Sequence, residues 1–273
     1  MGVDHATGAA ALLGQLDRFV DAVDAARDID LLAASRCHGW AAVDVVVHVR
    51  VGLQEMVGGV VAGTDRPADQ DAATYWRDHR PPDRGDDDVD AILWTRRTSS
   101  AYRRPRHALE HLRMAADTVR AAVAAAAPGR VAFQGHVLDT GDFLTTWAVE
   151  LAVHHLDLGG DPRFGSPTAG SLRLGRATVE ALAGAPLPAE WSDEVCLLAG
   201  SGRTPPRTSR RGPPDPGRGR CSGEVAARPA ESGRRVGRAP QERREVDGVA
   251  GHRRDRRADG LRRLVEVREV RRR

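Results

Sequence analysis

Residues 145–158 read Thr145-Thr146-Trp147-Ala148-Val149-Glu150-Leu151-Ala152-Val153-His154-His155-Leu156-Asp157-Leu158. They belong to a segment that reads as a long helix from Gly141 to about Leu158. Asp139 or Thr140 can cap its start, and Gly159-Gly160 stops it. On a helix, Glu150 and His154 are four residues apart and share one face. Both lie within an apolar helix, where a charged group is rarely buried without a partner. A metal ion would be such a partner.

Working outward, the chain up to about residue 200 reads as helical. Leu12, Leu16, Phe19, Val20 and Val23 recur at helical spacing, which predicts a first helix from about Ala9 to Ala26. A turn, Ser35-Arg36-Cys37-His38-Gly39-Trp40, precedes a second helix from about Ala41 to Ala62. Its many valines would suit a strand, but the period and a length of roughly 20 residues favour a helix. Thr64 to Asp88 is polar and rich in Pro and Asp, and reads as a long loop. A short helix is expected from Asp86-Asp87-Asp88 towards Tyr102, since acids suit a helix N-terminus. Pro105 opens the next helix, with Leu109, Leu112, Ala116, Val119, Val123 and Ala126 as its seam and Pro128-Gly129 as its end. Residues 131–138 read as a connection with room for a short extended piece. After the long helix through Glu150, a fifth and shorter helix is expected over Ser171 to Ala183. Glu194 to Ala199 reads as a short strand or closing segment. Long amphipathic helices joined partly by long crossovers predict an all-α four-helix bundle with an extra short helix. The sequence holds no internal repeat.

The second helix carries His48 in its middle. His48, Glu150 and His154 together would give two imidazoles and one carboxylate from two helices. That set suits a catalytic zinc with an open fourth position, or another divalent ion. Bland readings stand beside it. Glu150 and His154 can form an ordinary helix-face hydrogen bond, Asp44 and His48 share the same spacing, and His48 can be a satisfied core histidine. A competing constellation, His107-Ala108-Leu109-Glu110-His111, matches the inverted zincin pattern HxxEH. Arg103, Arg104, Arg106 and Arg113 surround it, and a positive setting opposes cation binding, so a solvated face is the preferred reading. Trp40 and Trp147 read as core packing. Cys37 reads as a buried small apolar residue rather than a nucleophile.

The turn Cys37-His38-Gly39-Trp40, followed by Asp44-Val45-Val46-Val47-His48, resembles the CPGW…D-V-x-x-H signature of the DinB-like superfamily. More narrowly, it resembles the metal-binding N-terminal domain of mycothiol-dependent maleylpyruvate isomerases, a family common in actinobacteria. Val149-Glu150-Leu151-Ala152-Val153-His154-His155-Leu156-Asp157-Leu158 resembles that family's second motif, VE-x-x-VH-x-x-DL. Leu197-Leu198-Ala199-Gly200-Ser201-Gly202-Arg203 resembles the closing LLAGTGR of its short members. The resemblance spans about residues 9–200 and implies metal ligands at His48, Glu150 and His154. It implies a divalent metal such as Zn2+ that holds mycothiol as thiolate, and a small electrophile that the thiolate attacks. In an isomerase the thiol adds to a cis double bond, the bond rotates and the thiol leaves; in a transferase the adduct is kept. His155 and Asp157 are candidates to orient a ligand from behind. The sequence departs from the family at His38, where the motif has proline, and at Ala41, where a Thr or Ser cap worth ~1 kcal/mol is lost. The second, sterol-carrier-like domain of full-length isomerases is absent, which leaves the substrate open.

Charge divides the chain. All 41 basic residues are arginine. Residues 1–200 hold 19 Arg against 28 Asp plus Glu, a net −9, and residues 201–273 hold 22 Arg against 10, a net +12. Residues 201–273 have no aromatic, Ile or Met and only two Leu, too little apolar surface to offset the entropy of ordering. The expected division is therefore a metal-binding helical bundle over 1–202 and a disordered Arg/Gly/Pro-rich tail over 203–273. A frame change in a GC-rich gene accounts best for such a tail; reading the other frames beyond the Arg203 codon tests this, and the idea fails if no Leu-rich helical continuation appears. A nucleic-acid-binding arm is disfavoured, because no aromatic residue offers a stacking platform and ten acids interrupt the arginines. No secretory signal, myristoylation pattern or run of roughly 18 apolar residues is present. Cys37, Cys196 and Cys221 form no disulfide framework. These features predict a cytoplasmic protein with no membrane or nucleic-acid partner, and the family resemblance implies an enzyme with a thiol partner. A non-catalytic metal-binding bundle, or a nucleic-acid-associated protein acting through its tail, remain the alternatives.

Overall fold

A computed structural model describes residues 1–78, 87–159 and 162–203. The expectations for 204–273, and for the loop over 79–86, lie outside the described residues. Helix α1 spans His5–Asp24 and starts earlier than the apolar pattern indicates, because Asp4 accepts the Thr7 N–H at 2.9 Å and caps it. Helix α2 spans Ala42–Val60. Its cap residue Ala41 offers no side-chain acceptor, as its sequence implies. The Asp44 carboxylate reaches back instead and accepts the Ala41 N–H at 2.8 Å, keeping half of a capping box. Helix α4 (Asp87–Ser100) and helix α5 (Pro105–Ala125) follow, the latter with proline in its first turn. Helix α6 spans Thr140–Asp157, and helix α7 spans Ala169–Ala183.

One expectation needs correction and two are made specific. The loop over residues 64–88 contains a short helix α3, Thr74–Asp78. Asp71 starts it by accepting the Ala73 and Thr74 N–H groups at 2.8 and 2.9 Å. Residues 131–138 are mostly a hairpin: β1 (Arg130–Phe133) pairs antiparallel with β2 (His136–Asp139), Phe133 opposite His136. Gln134 and Gly135 both take positive φ, the conformation a two-residue turn demands. Glu194 to Ala199 is not a strand; the closing segment is the body of helix α8, Asp193–Gly200. Ser192 caps it, and Asp193 and Glu194 sit at the positive end of its dipole.

The bundle is built from α1, α2, α5 and α6. Helix α1 lies chiefly on α6, and α2 chiefly on α5. Leu12, Leu16 and Phe19, Val46, Leu53 and Met56, Leu112 and Val119, and Phe143 and Leu151 meet in one core. Each such side chain contributes about 1.5–3 kcal/mol when fully buried. Helices α7 and α8 pack on each other and cover another side of α6, where Val149, Ala152, Val153 and Leu156 meet Val179, Leu197 and Leu198. Helix α6 is thus enclosed, which explains why its sequence is apolar almost all round. Every residue of α6 except Glu150 is buried. Among the described residues no helix is long and apolar enough to cross a membrane.

Candidate metal centre

The enclosed helix delivers three polar groups in register. Glu150, His154 and Asp157 follow at i, i+4 and i+7 on one face of α6. Helix α2 delivers His48 opposite them. The His48 and His154 ring centroids are 4.7 Å apart, with the planes at 76°. His48, Glu150 and His154 each offer a ligand atom, and these atoms lie within 4.8 Å of one another. They line a small concavity together with Val49, Gly52, Trp147 and Leu151. Trp147 also packs edge-on against Phe133 and Phe143 of the core, so it is both wall and support. Trp40 sits against His48, ring centroids 5.1 Å apart.

His154 is held at both nitrogens. Its Nε2 lies 3.0 Å from Glu150 Oε1, and its Nδ1 lies 3.0 Å from Asp157 Oδ2. Burial pulls the imidazole down in pKa, but the Glu150 charge and hydrogen bonds with Asp157, Cys37 and Glu150 outweigh it and raise it well above the ordinary histidine value. Burial pushes the Glu150 carboxyl up; the His154 charge and hydrogen bond, with His48, bring it below its usual value. Asp157 is fully buried, yet the His154 and Arg203 bonds overcome desolvation and hold it far below the ordinary carboxylate range. Arg203 donates Nε to Asp157 Oδ1 at 2.8 Å and Nη2 to Oδ2 at 2.7 Å.

Donors of this kind fit a divalent ion. Neutral imidazoles and a carboxylate are the ligand types that zinc takes. A ligating histidine also needs its other ring nitrogen fixed by an acceptor, which Asp157 provides for His154.

Sequence reasoning did not identify Cys37 or Arg203 as part of this cluster. Cys37, His154 and Asp157 form a second group whose ligand atoms lie within 4.8 Å. Burial raises the Cys37 thiol above its usual pKa, only partly offset by His154. The turn that carries it closes with the Trp40 N–H on the Cys37 carbonyl at 3.1 Å, and Gly39 supplies its positive φ of 76°. Arg203 had a signal in the sequence, since it ends the Leu197–Arg203 stretch.

Other candidates fall elsewhere. His155 makes its contacts elsewhere: its Nε2 meets the Phe164 carbonyl at 2.9 Å, its Nδ1 meets Gln15 at 3.2 Å, and its ring packs on Phe19. Asp44 is taken by the Ala41 N–H and the Ser99 hydroxyl, away from His48. His111 bonds Tyr102 at 3.0 Å on an exposed face, and His107, Glu110 and His111 form no donor cluster among the described residues. The arginines near them are partly neutralised, Arg104 and Arg106 by Asp28 and Arg113 by Asp24.

The family model for the mycothiol maleylpyruvate isomerase N-terminal domain matches residues 10–159. That span carries His48, Glu150, His154 and Asp157 but not Arg203. No curated protein and no solved structure matches the chain. With more than half of its length matched, a mostly helical fold and two separated motifs in order, the chain belongs to the mycothiol maleylpyruvate isomerase N-terminal domain family.

Proposed function

We propose that His48, Glu150 and His154 hold a divalent metal, zinc by donor chemistry, and that the protein uses it with mycothiol as a cytoplasmic isomerase or thiol transferase acting on a small electrophile. The observation that carries this reading is the position of His154. It stands between a buried acceptor, Asp157, and a concavity lined by the other two donors. A bound divalent ion would supply Lewis acidity that deprotonates a thiol near neutral pH. Asp157 accepts the Nδ1–H of His154 and so leaves Nε2 facing Glu150 and His48. Trp147, Val49 and Leu151 keep the concavity apolar, which strengthens the attraction between unlike charges inside it. Charge balance supports an anionic ligand: two positive charges from an ion, with Glu150, Asp157 and Arg203, leave one positive charge that a thiolate cancels. The free thiols of Cys37 and Cys196 are compatible with a reducing compartment.

The test is metal analysis of the full chain beside His48→Ala and His154→Ala. About one zinc per chain is expected in the wild type, with a loss of at least tenfold in both variants. Equal content in all three proteins sinks the site. A second assay follows conversion of a small cis-unsaturated acid with and without mycothiol. Metal binding without any thiol-dependent turnover would leave the non-catalytic metal-binding bundle as the correct reading.

A further inference from the structure

His154 belongs to two donor sets at once. One is His48, Glu150 and His154; the other is Cys37, His154 and Asp157, whose ligand atoms also lie within 4.8 Å of one another. The two nitrogens of the ring serve the two sides, Nε2 towards Glu150 and Nδ1 towards Asp157. By chemistry alone the second set should compete well for zinc or cobalt, because it adds a soft thiolate to an imidazole and a carboxylate.

Arg203 occupies that second set. Its guanidinium forks onto both oxygens of Asp157, at 2.8 and 2.7 Å, and Oδ2 also receives His154 Nδ1. These three bonds take most of the roughly four lone-pair positions of the carboxylate, and the fixed guanidinium repels a cation beside it. Arg203 is itself locked in place. Its Nη1 donates to the Ser201 carbonyl at 2.9 Å, its backbone N–H bonds the Leu198 carbonyl at 2.9 Å, and only 9% of its side chain is exposed.

We propose that Arg203 is a positioning residue that decides which of two overlapping metal sites is used: by filling Asp157 it keeps a divalent ion on His48, Glu150 and His154 and off a latent Cys37–His154–Asp157 site. The inference rests on the reading that the first set binds the ion. When Arg203 is removed, Asp157 becomes available, and Cys37 loses its thiol proton to solvent as its sulfur coordinates the ion.

Cobalt(II) is a suitable probe, because a coordinated thiolate adds a near-ultraviolet charge-transfer band that nitrogen and oxygen ligands do not give. The full chain is titrated with cobalt without added thiol. The wild type is expected to bind it without that band. Arg203→Gln is expected to show the band at full strength. Arg203→Lys, a one-point donor instead of a fork, is expected to show a fraction of it. The double variant Arg203→Gln/Cys37→Ser is expected to lose it. Circular dichroism checks that each variant is folded; if Arg203→Gln is not, Arg203→Lys alone decides. A thiolate band already present in the wild type overturns the proposal, as does its absence from every folded Arg203 variant that binds cobalt. A wild type that binds no cobalt defeats instead the metal site itself.

Discussion

Asp142 is a buried carboxyl in the first turn of α6, only 4% exposed. Burial pushes its pKa up to about 6, with Asp71 and Asp139 adding to the rise; the Val3 N–H at 2.7 Å and the chain's ammonium group pull the other way. The folded value thus lies above the unfolded one. Its contribution to stability is fully present below about pH 4 and is lost as pH rises through about 6. The loss is at most about 3 kcal/mol, reduced by the helix dipole that favours an acid at this position. Asp142→Asn keeps an oxygen for the Val3 N–H and removes the charge. The variant is expected to be about 1–3 kcal/mol more stable than the wild type in urea unfolding at pH 7.5, with the difference vanishing near pH 4. A difference that stays constant across this range contradicts the assignment. At the same scale, the helix period alone separated much of the site. Glu150, His154 and Asp157 share a face, whereas His155 is turned about 100° from His154 and had to face elsewhere. For His48, spacing could not decide between a ligand and a satisfied core histidine, because spacing within one helix says nothing about what lies across from it; its motif tipped the reading. Cys37 looked like filler because its place beside the cluster depends on a neighbour 117 positions away, His154.

Helices α1 and α6 approach so closely that backbone touches backbone. A Cβ on Gly8 would collide with the Gly141 carbonyl, and one on Gly141 with the backbone of Val3 and Asp4. Gly14, on the same helix α1, has nothing within 4 Å of where its Cβ would be and is exposed. The two positions therefore form a matched pair. Gly14→Ala should gain up to about 1 kcal/mol from helix propensity. Gly8→Ala gains the same propensity but forces the helices apart against rigid backbone, and should lose about 1–3 kcal/mol net. Thermal unfolding should move the two midpoints in opposite directions; a shift of the same sign in both would show that α1 and α6 do not depend on the contact. The long helices were legible because each carries several apolar repeats and a recognisable stop. The elements that were misread are short. The β1–β2 hairpin turns through Gln134-Gly135 rather than the usual Asn-Gly, and its four-residue strands carry little periodicity. Helix α8 has only eight residues, and its signal was not the apolar run Val195–Leu198 but the Ser192 cap with two acids behind it.

Across the whole chain, the division by charge and composition can be given a structural end point. The acidic, apolar-rich part supplies every core residue named above, and Arg203 pairs with the buried Asp157. We propose that the folding unit reaches at least to Arg203, one residue beyond the expected boundary, because Asp157 needs its guanidinium. A buried ion pair adds little over an apolar pair of equal shape, but breaking it by removing one partner costs about 3–5 kcal/mol, since the other charge stays buried. Two truncations three residues apart should therefore behave very differently. A chain ending after Arg203 loses residues 204–273, which hold 21 Arg against 10 acids, a net +11, and only two leucines, and should keep the unfolding midpoint of the full chain within about 2 °C. A chain ending after Gly200 leaves Asp157 without its fork and should lose about 3–5 kcal/mol in urea unfolding. Equal stability of the two would mean that Asp157 finds another partner and that the unit ends with α8. Equal loss in both would mean that residues beyond Arg203 are required for folding, against the argument from composition.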